Sequence, residues 1–112
     1  MNQQNKIECA SADGKVFLDV GNIYSIESSG NHSYIVTANT DKIFVTNSLK
    51  DLTDRLGAKR FCRIHRQYLI NMAKIHKYQQ SEGGTIEMEN GIKYPISKSG
   101  KVIFVEMLKD VY

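Results

Sequence analysis

The side chains in this 112-residue sequence that are equipped for chemistry fall into three groups. The first is His32, His65 and His76 with Cys9 and Cys62, which could ligate a metal or pair a nucleophile with a base. No two of the histidines stand at the i, i+4 interval of a helical zinc site, and neither cysteine sits in a Cys-x-x-Cys. The second is Glu87 and Glu89, two apart as on one face of a strand, an arrangement common on exposed hairpins and weak support for paired-carboxylate catalysis. Glycine-rich phosphate loops and a Gly-x-Ser-x-Gly elbow are absent. The sequence therefore predicts no enzyme, no catalytic residue, no metal site and no cofactor.

The third group is cationic. Between Arg55 and Ser81 there are seven basic residues and no acid, although the whole chain carries a formal charge of only +3. Mildly acidic flanks on either side make this a charged face rather than a charged bulk, of the kind that attracts a polyanion: nucleic acid, anionic lipid or an acidic protein. Within it, Phe61-Cys62-Arg63-Ile64-His65-Arg66-Gln67-Tyr68-Leu69-Ile70-Asn71 gathers guanidinium, imidazole and side-chain amide. Arg66 has the fork that fits guanine O6 and N7, and Gln67 suits adenine or a phosphate. Lys59, Arg60 and Arg63 suit phosphates, which position a protein without specifying sequence.

Those side chains need a scaffold, and the spacing of apolar residues predicts one. Lys15–Val20, Asn22–Ser28, Ser33–Thr37 and Lys42–Thr46 read as four strands joined by tight turns, the pattern of an antiparallel meander. Ser48-Leu49-Lys50-Asp51 fits a capping box, Leu49, Leu52 and Leu56 recur on one helical face, and Gly57 suits a left-handed stop. The helix is two to three turns long and must pack on the sheet. Ile75–Tyr78 and Thr85–Glu89 read as further strands, Asn90-Gly91 as a two-residue type I′ turn, and Pro95 marks the returning strand as an edge. Asn71 suits a local cap or turn. Val102, Phe104, Val105 and Leu108 close the chain as an amphipathic helical segment.

Length and composition permit one small domain with one core. No apolar run approaches the roughly 20 residues of a membrane-spanning helix, and the polar start lacks a secretory pattern, so a cytoplasmic protein without membrane contact is expected. Residues 1–13 read as a flexible N-terminal segment or linker and residues 14–112 as the domain.

Three blocks together resemble the LytTR domain, the DNA-binding output module of LytR/AlgR/AgrA-type bacterial regulators. Asn22–Tyr34, with Ile26-Glu27-Ser28-Ser29-Gly30-Asn31, is similar to the family's opening I-x-Y-I-E-S-x-G-N-Y. Ser48-Leu49-Lys50-Asp51-Leu52 resembles its S-L-K-x-L helix start. Phe61–Asn71 is similar to its most diagnostic block, F-x-R-I-H-R-S-Y-L-V-N. A weaker fourth block, Asn90-Gly91 through Tyr94-Pro95-Ile96-Ser97-Lys98, looks like N-G-x-x-x-P-V-S-R. The likeness runs from about Lys15 to Leu108.

The resemblance implies a mainly β fold: an elongated set of small antiparallel sheets with one short central helix and a C-terminal helical segment. It also implies sequence-specific DNA binding in bacterial transcriptional regulation, as in response regulators of two-component systems. Loops would enter successive major grooves of bent DNA, with two copies on repeated half-sites. Carried over by position, His32, Arg66 and Lys98 become base contacts. Asn31, His65, Gln67, Ser97, Ser99 and Lys101 join Lys59, Arg60 and Arg63 as supporting or phosphate contacts. Gln67 stands where the family often has Ser, and Lys98 where Arg is frequent; lysine lacks the bidentate fork, which suits Lys98 to phosphate as well as to a base. Members usually follow a phosphorylatable receiver domain, so the sequence reads either as an excised output domain, with a receiver upstream in a longer chain, or as a protein of one domain. The competing expectation is a protein-interaction module of the same fold that does not bind DNA and meets an acidic partner.

Overall fold

Ile7 and Cys9 alternate with Lys6 and Glu8, and in the computed structural model, which describes residues 5–111, this short alternation forms strand β1, Lys6–Ser11. Both apolar side chains are buried, and β1 pairs antiparallel with β2, Gly14–Asp19. Much of the segment expected to be a flexible start is therefore part of the fold; two buried residues in a polar context are too weak a period to read as a strand. Residues 1–4 of that expected segment lie outside the described residues.

The central element is a five-stranded antiparallel sheet. Its strands are β3, Ser25–Ser29; β4, His32–Val36; β5, Lys42–Val45; β6, Phe61–His65; and β7, Tyr68–Asn71, laid side by side as β5-β4-β3-β7-β6. The expected meander thus holds for β3, β4 and β5, while β2 turns away to pair with β1. A second sheet, in the order β10-β9-β8, comprises β8, Ile75–Gln79; β9, Thr85–Met88; and β10, Lys93–Pro95. Pro95, which has no N–H to donate, lies on an edge strand of that sheet as its chemistry requires.

Two α-helices complete the described residues. Helix α1, Leu49–Leu56, starts as expected: the Ser48 hydroxyl accepts from the Asp51 amide at 3.1 Å. Gly57 does not take the left-handed conformation foreseen for it (φ −57°, ψ −42°). A 3-10 turn over Gly57–Lys59 prolongs the helix, and Arg60 takes the left-handed position instead, at φ 67°. The Asn90-Gly91 hairpin also differs from expectation. Met88 bonds through its carbonyl to the Gly91 amide and through its amide to the Ile92 carbonyl. The loop is accordingly three residues, with positive φ at Gly91 and not at Asn90, the form in which glycine follows a type I turn. Helix α2 is longer than foreseen, Lys98–Val111. Phe104 is fully buried, but Val102, expected on the inner face, is 68% exposed and Val105 41%.

Both faces of the large sheet are covered, which explains why Leu69, Ile70 and Asn71 are buried consecutively on β7. On one face Ile26, Ile35 and Leu69 pack with Leu49, Leu52 and Leu56 of α1 and with Ile7 and Cys9. On the other, Cys62, Ile64 and Ile70 pack with Ile86, Met88 and Tyr94 of the small sheet and with Phe104 of α2. Asn71 fastens the join locally, its Oδ1 accepting from the Ala73 amide and its Nδ2 donating to the Ile23 carbonyl, both at 2.9 Å. The molecule is elongated, 43 × 34 × 25 Å.

Candidate nucleic-acid interface

Antiparallel pairing puts two loops at the same end of the large sheet. The β3–β4 turn consists of Gly30 and Asn31, closed by the pair Ser29–His32; Gly30 takes φ 63°, which a side chain would strain. The β6–β7 turn consists of Arg66 and Gln67, closed by His65–Tyr68. Because β3 and β7 are neighbours, the Ser28 amide reaches the Gln67 carbonyl at 2.9 Å and joins the turns. A third loop arrives from the small sheet. Ile64 is an extra residue between the paired Arg63 and His65, a bulge that frees its carbonyl. That carbonyl accepts from the Ser97 amide at 2.9 Å and from the Ser97 hydroxyl at 3.2 Å. The same hydroxyl accepts from the Gly100 amide at 3.0 Å and so caps α2.

The bond network brings His32, Arg66 and Lys98 to this one end, and all three are exposed. Among the described residues none of the three takes part in an ion pair. Asn31, Gln67 and Ser99 are exposed beside them, while His65, Ser97 and Lys101 are half-buried. His65 serves its own turn: its Nδ1 accepts from the Gln67 amide at 3.1 Å, and its ring stacks on Tyr68 at 5.0 Å.

Arg63, expected to hold phosphate, faces inward and clamps the turn. Its Nε donates to the His65 carbonyl at 3.1 Å, one terminal nitrogen to the Arg66 carbonyl, and the other to Thr53 Oγ1 of α1. Partial burial pulls its pKa down from the ordinary guanidinium value. Lys59 and Arg60 precede β6 and lie at the opposite end of the sheet from Arg66, near Asn5, Asn71 and Ala73. The acid-free stretch is therefore divided by a strand, and adjacency in sequence does not make it one patch.

Sequence reasoning missed the polar network behind the loops. The Tyr94 hydroxyl lies 2.6 Å from Ser25 Oγ and 2.7 Å from Glu27 Oε2, and Glu27 Oε1 is 2.9 Å from Lys42 Nζ. Burial raises the Tyr94 phenol well above its usual pKa, so it stays a neutral donor. Its ring packs on Tyr68 at 4.7 Å, linking the small sheet to the Arg66 hairpin. The alternation around Glu27 was visible in the sequence, but its partner lies 67 residues away.

Residues 13–109 match the model of the LytTr DNA-binding domain. The chain belongs to that family. This LytTr domain is also similar to the CO-responsive transcriptional regulator RcoM of Rhodospirillum rubrum, 28% identical over 87 residues, which is 77% of this chain and 36% of that protein. It thus spans about a third of that relative. Its fold is that of the LytTr DNA-binding domain of a Bacillus cereus protein described as a methyl-accepting/DNA response regulator. The two superpose with a TM-score of 0.77 over 93% of this chain and 96% of the other, at 20% identity. Among the described residues of the LytTr domain, no helix is long and apolar enough to cross a membrane.

Proposed function

We propose that this LytTr domain reads duplex DNA sequence-specifically in a cytoplasmic bacterial transcriptional regulator, its three loops entering successive major grooves of a bent site. The observation that carries this reading is the fastening of the loops to one another. The Ser28–Gln67 and Ser97–Ile64 bonds hold exposed His32, Arg66 and Lys98 at one end of a rigid sheet. Arg66 supplies the bidentate fork for guanine, and Lys98, at the start of α2, suits a base or a phosphate. Asn31, Gln67, Ser97, Ser99 and Lys101 surround them as supporting contacts, and His65 supports through the turn it closes.

Two copies on repeated half-sites fit the modest surface that one small domain offers, since doubling the contacts supplies affinity that a single copy lacks. A receiver or other sensing domain in a longer chain would supply the signal, as the name of the much longer relative suggests. Selection of bound sequences from a random duplex pool tests binding, specificity and half-site spacing together. The expected result is a repeated motif; failure to retain any duplex at low salt would overturn the reading in favour of an acidic protein partner.

A further inference from the structure

Strand β5 carries a side chain that the core does not explain. Phe44 is 40% exposed and belongs to neither buried cluster. It leans on Tyr34, ring centroids 5.2 Å apart, and meets His32 edge-on at 5.4 Å with the rings 83° apart. Just past the end of the strand, the Thr46 carbonyl lies 3.2 Å from His32 Nδ1. A carbonyl oxygen only accepts, so Nδ1 carries the proton, and in that tautomer the lone pair lies on Nε2. No partner for Nε2 occurs among the described residues. The ring is thus fixed in plane by Phe44 and in tautomer by Thr46.

We propose that Phe44 and Thr46 are positioning residues for His32, and that the imidazole they hold presents Nε2 as an acceptor to the exocyclic amino group of a base. In the major groove that group is N6 of adenine or N4 of cytosine; guanine and thymine offer acceptors there and would face the lone pair unfavourably. This rests on the reading of His32 as a base contact. It accounts for an exposed phenylalanine on an edge strand, where an apolar ring is otherwise a liability. The same constraint that spares the ring its rotational freedom makes its hydrogen-bonding sense fixed before DNA arrives.

The test uses the chain with a duplex selected from a random pool and a random duplex as control. His32→Ala first locates the base pair at which discrimination is lost. Phe44→Ala should weaken the selected duplex about three- to tenfold, as expected for one aromatic contact, with random-duplex affinity unchanged. Phe44→Tyr should restore it, and Phe44→Ala should cost nothing further in the His32→Ala background. Deleting the amino group at the located base pair, with purine for adenine or 2-pyrimidinone for cytosine, should weaken binding by the native chain and leave His32→Ala indifferent. A melting curve checks the fold, and Phe44→Leu replaces the alanine variant if that one unfolds. Additive losses from Phe44 and His32, or guanine or thymine preferred on both strands' contacted positions, would overturn the proposal alone. Full specificity in His32→Ala would overturn the base-contact reading and the proposal together.

Discussion

The Ser97 amide donates to the Ile64 carbonyl at 2.9 Å, so a bulge in β6 holds the start of α2 against the Arg66 hairpin. Gly100 makes this approach possible. A Cβ built there would lie 2.0 Å from the Ile64 oxygen, a backbone atom that cannot swing aside. Gly100→Ala should therefore lever α2 off the sheet, at a cost of about 1–3 kcal/mol or more as overpacking. Urea denaturation reads the loss, and operator affinity should fall with it because Lys98 moves.

Arg66→Ala separates reading from holding. A bidentate base contact is worth about 1–3 kcal/mol, so the selected duplex should bind roughly five- to 150-fold more weakly while random duplex is little affected. Equal losses on both would make Arg66 a phosphate contact. Band shifts over a series of competitors measure the ratio.

Arg63 gives the complementary expectation. Its guanidinium is spent on the His65 and Arg66 carbonyls and on Thr53, so Arg63→Gln should lower specific affinity by loosening the turn. The slope of log affinity against log salt should stay as in the native chain, because no phosphate contact is lost. A slope shallower by about 0.9, the signature of one phosphate fewer, would show instead that Arg63 touches the backbone of the duplex.

Arg60 sits in the left-handed conformation that glycine adopts more easily. Arg60→Gly should hold or raise stability by up to about 1 kcal/mol, the gain from relieved strain less the added freedom of the unfolded chain. It should leave operator affinity within about twofold, since the residue lies at the opposite end of β6 from Arg66. Thermal melts and band shifts on one preparation check both.

Burial pushes the Cys62 thiol up to about 11 from its ordinary 9. Between those values the unfolded chain gives up the proton and the folded chain keeps it, so the unfolded state binds fewer protons and stability falls as pH rises. The contribution is intact below pH 9 and is lost on passing 11. Denaturation midpoints on either side of that window should therefore drop more in the native chain than in Cys62→Ala, in which the other titrating groups are unchanged.

Much of this was legible in the sequence because local chemistry decided it. Ser48 capped α1, the leucine spacing chose its inner face, and Gly30-Asn31 marked the turn that carries His32. What escaped was decided at a distance. The Tyr94–Glu27 bond joins residues from different sheets. The inward turn of Arg63 depends on a hydroxyl contributed by α1. The burial of Ile7 and Cys9 depends on a core assembled later in the chain. A run of cations in sequence also says nothing of which end of a strand each occupies, and Lys59 and Arg60 stand at the opposite end of β6 from Arg66.

That division has a practical side. A polyanionic matrix such as heparin can engage the basic residues at the Arg60 end without touching the tip where Arg66 and Lys98 stand. Retention on such a column should survive the loss of Arg66, and would therefore be a poor surrogate for recognition when variants are purified and ranked.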